Sequence, residues 1–321
     1  MTDKEQYKQI CESHPEIPLF MQHWWMEAVC AGKQWDVLLY RNGEGEVQAV
    51  MPFLIGKKLW MRYVLMPQLT QYNGVWYLKT DFKSENERLS FEKKVCNEFV
   101  GRLKDLRLKY FSQNFAPQFT NWLPFYWNGF RQTTRYTYQI QGLDDLDAVF
   151  ANMDKKRQQS KIQALEESYH VRFDLQPEDF YNFHASYWQS RGGEESLPRD
   201  FVVRLCTEAL NRNQGLIAGL YDAENCLVAT YFIAYDSTTA YALMSAFDKQ
   251  KNVNGMTALL VWNIIKQLSG KVKVFDFEGS MDENVEYSFR YYGTKQVPYF
   301  QIVKSNSLLF SALVSLKKRL G

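Results

Sequence analysis

The sequence predicts an α/β fold with mixed sheets, built from two diverged copies of one structural unit. Length points that way first: 321 residues exceed the roughly 100 to 200 that one core usually serves. Composition is the second observation, since 46% hydrophobic and 16% aromatic residues supply packed cores and exclude a disordered chain. The third is a repeat in the order of elements, carried by a few short correspondences.

The elements run as follows. FMQHWWMEAVCAG reads as a helix ending at Gly32. From Trp35, WDVLLYRNGEGEVQAVMPFLI places two runs of strand-forming residues around a turn, a hairpin signal. GLIAGLYDAENCLVATYFIAY is a second hairpin, aligned with the first at an offset of 181 residues. LKYFSQ around Phe111 then matches VKVFDF around Phe275, and YWNGF at Gly129 matches RYYGT at Gly293, both at an offset of 164. A strand follows each glycine, TTRYTYQI and QVPYFQIV. Each half therefore reads hairpin, helix, strand, aromatic-rich helix ending in Gly, strand.

Between hairpin and strand, Ser84 and Glu87 have capping-box spacing, and Leu89, Val95, Cys96, Phe99, Val100 and Leu103 form one apolar stripe. The counterpart, GMTALLVWNIIKQL, has little polar surface and predicts deeper burial. The two offsets differ by about 17 residues, which assigns an insertion to the first copy around LWMRYVLMPQLTQYNGVWYLKTD. The expected domains are 1–140 and 141–304, with a tail helix over 305–321 packing back on the first.

Charge and targeting signals bound the partners. Lys plus Arg (38) nearly balance Asp plus Glu (36), so no global field favours DNA or acidic membranes, and any such contact must be local. The N-terminal MTDKEQYKQICESHPEIP lacks an apolar signal-peptide core, and no apolar run is long enough to span a bilayer. Five dispersed cysteines and four dispersed histidines fit a reduced cytoplasm and no metal site. Oligomeric state has no signature here.

Four segments could carry chemistry. In VKVFDFEGS, strand alternation puts Asp276 and Glu278 on one face, about 7 Å apart at a rise of roughly 3.3 Å per residue. They read either as a general base or amine anchor, or as carboxylates satisfying backbone at a crowded turn. In DKKRQQSKIQALEES, Lys155, Arg157 and Lys161 suit phosphates, or else form a solvated face paired with Glu166 and Glu167. SAFDKQKNVNGMTALLVW is a strand, a polar loop with Lys251, Asn254 and Gly255, and a helix N-terminus receptive to phosphate; Gly255 alone also suits a tight turn. HASYWQSRGG sets Trp188 and Arg191 at a helix end, as an anion contact beside a moving loop or as a plain helix stop. His184, on the same helix, has no evident partner.

At these residues the chain resembles a known family. KKRQQSKIQALEES is similar to the basic helix of Fem-type aminoacyltransferases and their relatives in the GNAT acyltransferase superfamily, and FDFEGSMDENVEYSFRYYGTKQVPYFQIVK resembles their closing strand, helix and strand. IPLFMQHWWMEAV and MPQLTQYNGVWY resemble their leading part, so the resemblance spans nearly the whole chain. It implies two tandem GNAT-like domains and transfer of an acyl group from acyl-CoA or aminoacyl-tRNA to an amine of a cell-envelope or polysaccharide-type precursor, with no permanently bound cofactor. It implies phosphate contacts from Lys155, Arg157 and Lys161, a donor loop at Lys251, Asn254 and Gly255, and amine handling by Asp276 or Glu278, the first domain shaping acceptor recognition. KNVNGMT keeps one glycine where the acyl-CoA loop of GNAT enzymes has two small positions, and the coiled-coil arm of some Fem enzymes is absent. A non-catalytic protein that recognises a phosphate-bearing ligand is the alternative reading.

Overall fold

The computed structural model describes residues 1–307 apart from Asn252 and Ser280, so the expected tail helix lies, from residue 308 on, outside the described residues. Two compact units divide the described residues, one of residues 1–135 with 298–307, the other of residues 136–297.

In the first unit, α1 (Asp3–Ser13) starts from a Thr2–Glu5 capping box, and α2 (His23–Val29) follows. A meander comes next: β1 (Gln34–Arg41), β2 (Val47–Lys58) and β3 (Met61–Leu65) are antiparallel neighbours. β4 (Trp76–Tyr77) is a short addition to β2. α3 (Glu85–Asp105) leads to β5 (Tyr110–Phe115), which pairs in parallel with β3. Then come α4 (Leu123–Trp127) and β6 (Arg131–Gln141).

The stripe expected on α3 buries Val95, Cys96, Phe99, Val100 and Leu103 against Phe111 and Phe115 of β5, each large side chain contributing roughly 1.5–3 kcal/mol. Leu89 departs from that expectation and stays 41% exposed. The cap is offset too. Ser84 accepts from the Glu87 N–H, but the Glu87 carboxylate turns to the Lys83 N–H.

The second unit opens with α5 (Leu146–Asn152), a π-helical turn over 155–159, α6 (Ser160–Leu165) and β7 (His170–Arg172). α7 (Pro177–Ser190) and α8 (Arg199–Asn211) precede a second meander, β8 (Gly215–Tyr221), β9 (Leu227–Tyr235) and β10 (Thr239–Phe247). α9 (Met256–Leu268) is buried on nearly every side, as its apolar sequence requires. β11 (Val274–Asp276) pairs in parallel with β10, and α10 (Glu283–Phe289) and β12 (Lys295–Ser305) close the chain.

The structure corrects three sequence expectations. Each hairpin is a three-stranded meander, so the stretch assigned to the insertion contains β3, the counterpart of β10, and the extra residues begin after it. The strand expected through Glu278 ends at Asp276. The closing strands are also exchanged: residues 139–141 of β6 flank β11 in the second unit, while residues 300–305 of β12 flank β5 in the first. Within each unit the strand pairing is mixed, antiparallel apart from one parallel pair of strands, β3 with β5 or β10 with β11.

Candidate active site in the second unit

β10 and β11 are in register only from Thr239 with Val274 to Tyr241 with Asp276. Past that point β10 continues to Phe247 while β11 stops, so two parallel strands part at their carboxyl ends, where open α/β sheets commonly bind ligands. β10 also skips a partner at Leu243, a bulge that turns its backbone locally out of the ladder.

Asp276 and Glu278 meet this opening differently. Asp276 is fully buried and satisfied: it accepts from the Thr137 hydroxyl, from Gln139 Nε2 at 2.9 Å and from the Glu278 N–H at 2.7 Å. Glu278 has left the strand with a left-handed φ of 60°, costly for a residue with a Cβ. Its Oε1 is buried without a hydrogen-bond partner although the residue as a whole is partly exposed. Burial first, and the Asp276 charge second, push its carboxyl well above the usual range. Gly279 is needed beside it, since a Cβ there would stand 2.2 Å from the Tyr136 carbonyl.

A cavity of about 500 Å³ joins two of the segments singled out from sequence. Arg157 and Lys161 line one side, and Asn254, Gly255 and the first turn of α9 line the other. Lys161 Nζ donates to Asn254 Oδ1 at 2.8 Å. Gly255 meets two demands at once: its φ is 112°, and a Cβ would come within 2.7 Å of Lys161 Cβ. The α9 N-terminus has no side-chain cap; the Met256 N–H donates to the Val253 carbonyl at 3.2 Å, and the end of the helix dipole faces the cavity as a place receptive to an anion. Among the described residues neither Arg157 nor Lys161 has an ion-pair partner, so the charged face expected to pair with Glu166 and Glu167 does not form.

Sequence reasoning missed the cavity's aromatic wall. The Arg157 guanidinium lies 4.4 Å from the centroid of Tyr291 and 5.3 Å from that of Tyr287. The Tyr287 hydroxyl is held below its ordinary range by its hydrogen bond with Tyr291 and, secondarily, by Arg157. Four-residue spacing of the two tyrosines was the available signal. Burial raises the hydroxyl of Tyr292, in the cavity wall, and pushes that of Tyr231 up to about 12, the Glu278 charge adding a smaller push on the latter.

The other expected residues lie outside this cavity. Lys155 is exposed on the π-helical turn. Lys251 Nζ is 2.7 Å from Asp222 Oδ2 on the β8–β9 turn, which takes up its charge. Trp188 is exposed at the end of α7, and Arg191 donates to the Tyr187 hydroxyl at 3.0 Å. His184 does have a partner, the buried Glu195 of the α7–α8 loop; burial outweighs that attraction and lowers the imidazole. Among the described residues no cluster of His, Cys, Asp or Glu could hold a metal ion, and no helix is long and apolar enough to cross a membrane.

Comparison with known proteins decides what this architecture is. The family description "Acetyltransferase (GNAT) domain" matches residues 153–287, which include the parting strands, Glu278 and the cavity lining apart from Ser288, Tyr291 and Tyr292. Residues 153–287 are thus similar to a GNAT acetyltransferase domain. The whole chain has the tandem GNAT-like fold of solved structures at low identity. FemX superposes with a TM-score of 0.70 at 11% identity over 94% of this chain and 96% of that one. A tandem GNAT protein from the clavulanic acid biosynthesis pathway gives 0.52 at 9% over 94% and 95%. L-PGS from Bacillus licheniformis gives 0.52 at 15% over 88% of each chain. No curated protein matches the sequence. Acyl transfer is thus the chemistry of the GNAT domain, and the fold expected from the repeat is the fold observed.

Proposed function

We propose that the second unit transfers an acyl or aminoacyl group from a phosphate-bearing donor, acyl-CoA or aminoacyl-tRNA, to an amine of a cell-envelope or polysaccharide-type precursor. One observation carries the reading: Arg157 and Lys161, two cations without ion-pair partners among the described residues, share a cavity with the N-terminus of α9, which has no side-chain cap. Guanidinium, ammonium and helix N–H groups together suit a phosphate or pyrophosphate. Asn254 orients Lys161, while the Tyr287 and Tyr291 rings hold Arg157.

In the proposed reaction the donor's carbonyl lies where β10 and β11 part. The acceptor nitrogen attacks the carbonyl carbon, and the Glu278 carboxylate takes a proton from that nitrogen. Backbone N–H groups at the Leu243 bulge stabilise the oxyanion. As the tetrahedral intermediate collapses, the bond to the donor's sulfur or ribose oxygen breaks, and the leaving atom keeps the electron pair and acquires a proton. Asp276 positions Glu278 through the Glu278 N–H and raises its proton affinity by its charge.

Calorimetric titration with CoA, acetyl-CoA and aminoacyl-tRNA tests the donor site. The expected result is binding of one donor class that Arg157→Gln with Lys161→Gln weakens by roughly 10²-fold, from two lost charge-assisted contacts. Absence of binding by all three, or binding indifferent to the double variant, would refute the assignment.

A further inference from the structure

The first unit carries an exposed surface that lies outside the cavity of the second unit. β2 and β3 join through a two-residue turn, Lys58 pairing with Met61, so Leu59 and Trp60 form the apex. They are 78% and 70% exposed, among the most exposed large apolar side chains described. Leu59 also adopts a φ of 56°, a conformation that Gly or Asn would take with less strain. The apex is firmly held: Met61 is buried against Tyr110, and the Tyr63 ring crosses Gly56 so closely that a Cβ there would lie 2.0 Å from it.

A collar of positive charge lies just below. Lys57 and Arg62 are direct cross-strand partners, a like-charge pairing that opposes the hairpin unless an anion joins it. Lys58 precedes the apex, and Lys109 sits 5.4 Å from the Trp60 ring centroid. From Val47 to Thr80 the sequence has no Asp or Glu, and among the described residues none of these four cations has an ion-pair partner. This local field arises in a chain whose net charge is only +2.

We infer that the β2–β3 hairpin docks the protein on an anionic lipid surface, with Leu59 and Trp60 entering the interface and Lys57, Lys58, Arg62 and Lys109 meeting headgroup phosphates. An apolar apex above a cationic collar suits the layering of a bilayer, apolar within and anionic at the rim, and tryptophan favours that boundary. A nucleic acid would use the cations and stack on Trp60, but it offers nothing to Leu59. The inference stands apart from the acyl-transfer reading, since no hairpin residue lines the cavity of the second unit.

Sedimentation of the full chain with vesicles tests it, using phosphatidylcholine alone or mixed equally with phosphatidylglycerol, at low and physiological salt. The expected result is salt-sensitive binding to the anionic vesicles, at least about tenfold weaker on phosphatidylcholine. Leu59→Ser with Trp60→Ser should weaken binding by about tenfold or more, and Lys57→Gln with Lys58→Gln by roughly thirtyfold, with melting temperature and donor affinity unchanged. Failure to bind anionic vesicles, or binding that survives both double variants, overturns the inference. So does hairpin-dependent binding of bulk tRNA without vesicle binding, which would make the surface a nucleic-acid contact.

Discussion

Glu278→Gln separates catalysis from stability, because the two should move in opposite directions. Glutamine keeps the side chain's shape and removes its capacity to take a proton. If Glu278 deprotonates the acceptor amine, turnover should fall by roughly 10²- to 10⁴-fold. Stability should rise instead. The folded carboxyl holds its proton well above the usual range, whereas an unfolded glutamate releases it near pH ~4.3. Between those two values the folded state binds more protons, so wild-type stability falls by up to about 1.4 kcal/mol per pH unit. Above the folded pKa the loss levels off. Gln cannot ionise, so the variant's melting advantage should be absent below about pH 4, grow upward and then plateau, at about 2–4 °C per kcal/mol for a unit of this size. Melting scans from pH 4 to 9 and turnover with the donor that binds provide both readouts. Wild-type turnover together with parallel melting curves would refute both the base assignment and the electrostatic account of Glu278.

Three further substitutions probe the supports of the site. Asp276→Asn should cost about 1–3 kcal/mol, measured by denaturant unfolding, because its new amide would face the Gln139 donor inside a fully buried site. Gly255→Ala should cost about 1–3 kcal/mol and weaken donor binding, since the added methyl presses on Lys161 while the backbone is held at a φ of 112°. Calorimetry on the folded variant separates the two effects. Val95→Ala on α3 should cost about 1–3 kcal/mol without changing donor affinity, because it leaves a void in the core of the first unit and touches nothing in the cavity.

The tandem fold was legible because its signals are local. Phe111 and Phe275 share an offset with Gly129 and Gly293, and those positions fall in β5, β11 and the turns that end the following helical segments. Alternation and helical stripes leave a trace in neighbouring residues. Strand exchange leaves none. That residues 139–141 flank β11 depends on pairing between segments more than a hundred residues apart, and the hydrophobic pattern of β6 would be the same beside any buried neighbour. β3 was hidden for a related reason: MRYVL runs directly into Met66, Pro67 and the irregular stretch after them, so its likeness to β10 lies in parallel pairing with the next strand and not in residue type.

The site divides along the same line. Arg157 and Lys161 were visible as charges at helical spacing and Asn254 and Gly255 as a loop before a helix, but their meeting is a tertiary fact, fixed where Lys161 reaches Asn254 and where only a glycine lets the two backbones approach. The carboxylates show what residue type alone could not decide. Strand alternation treats Asp276 and Glu278 as equivalents, but the structure gives them different surroundings. Asp276 ends its strand saturated by a hydroxyl, an amide and a backbone N–H, which is the bonding of a structural carboxylate. Glu278, turned out of the strand by a positive φ, keeps a buried oxygen without a hydrogen bond and a raised proton affinity. A buried carboxylate so poorly satisfied costs stability, and the chemistry proposed for Glu278 gives that cost a use.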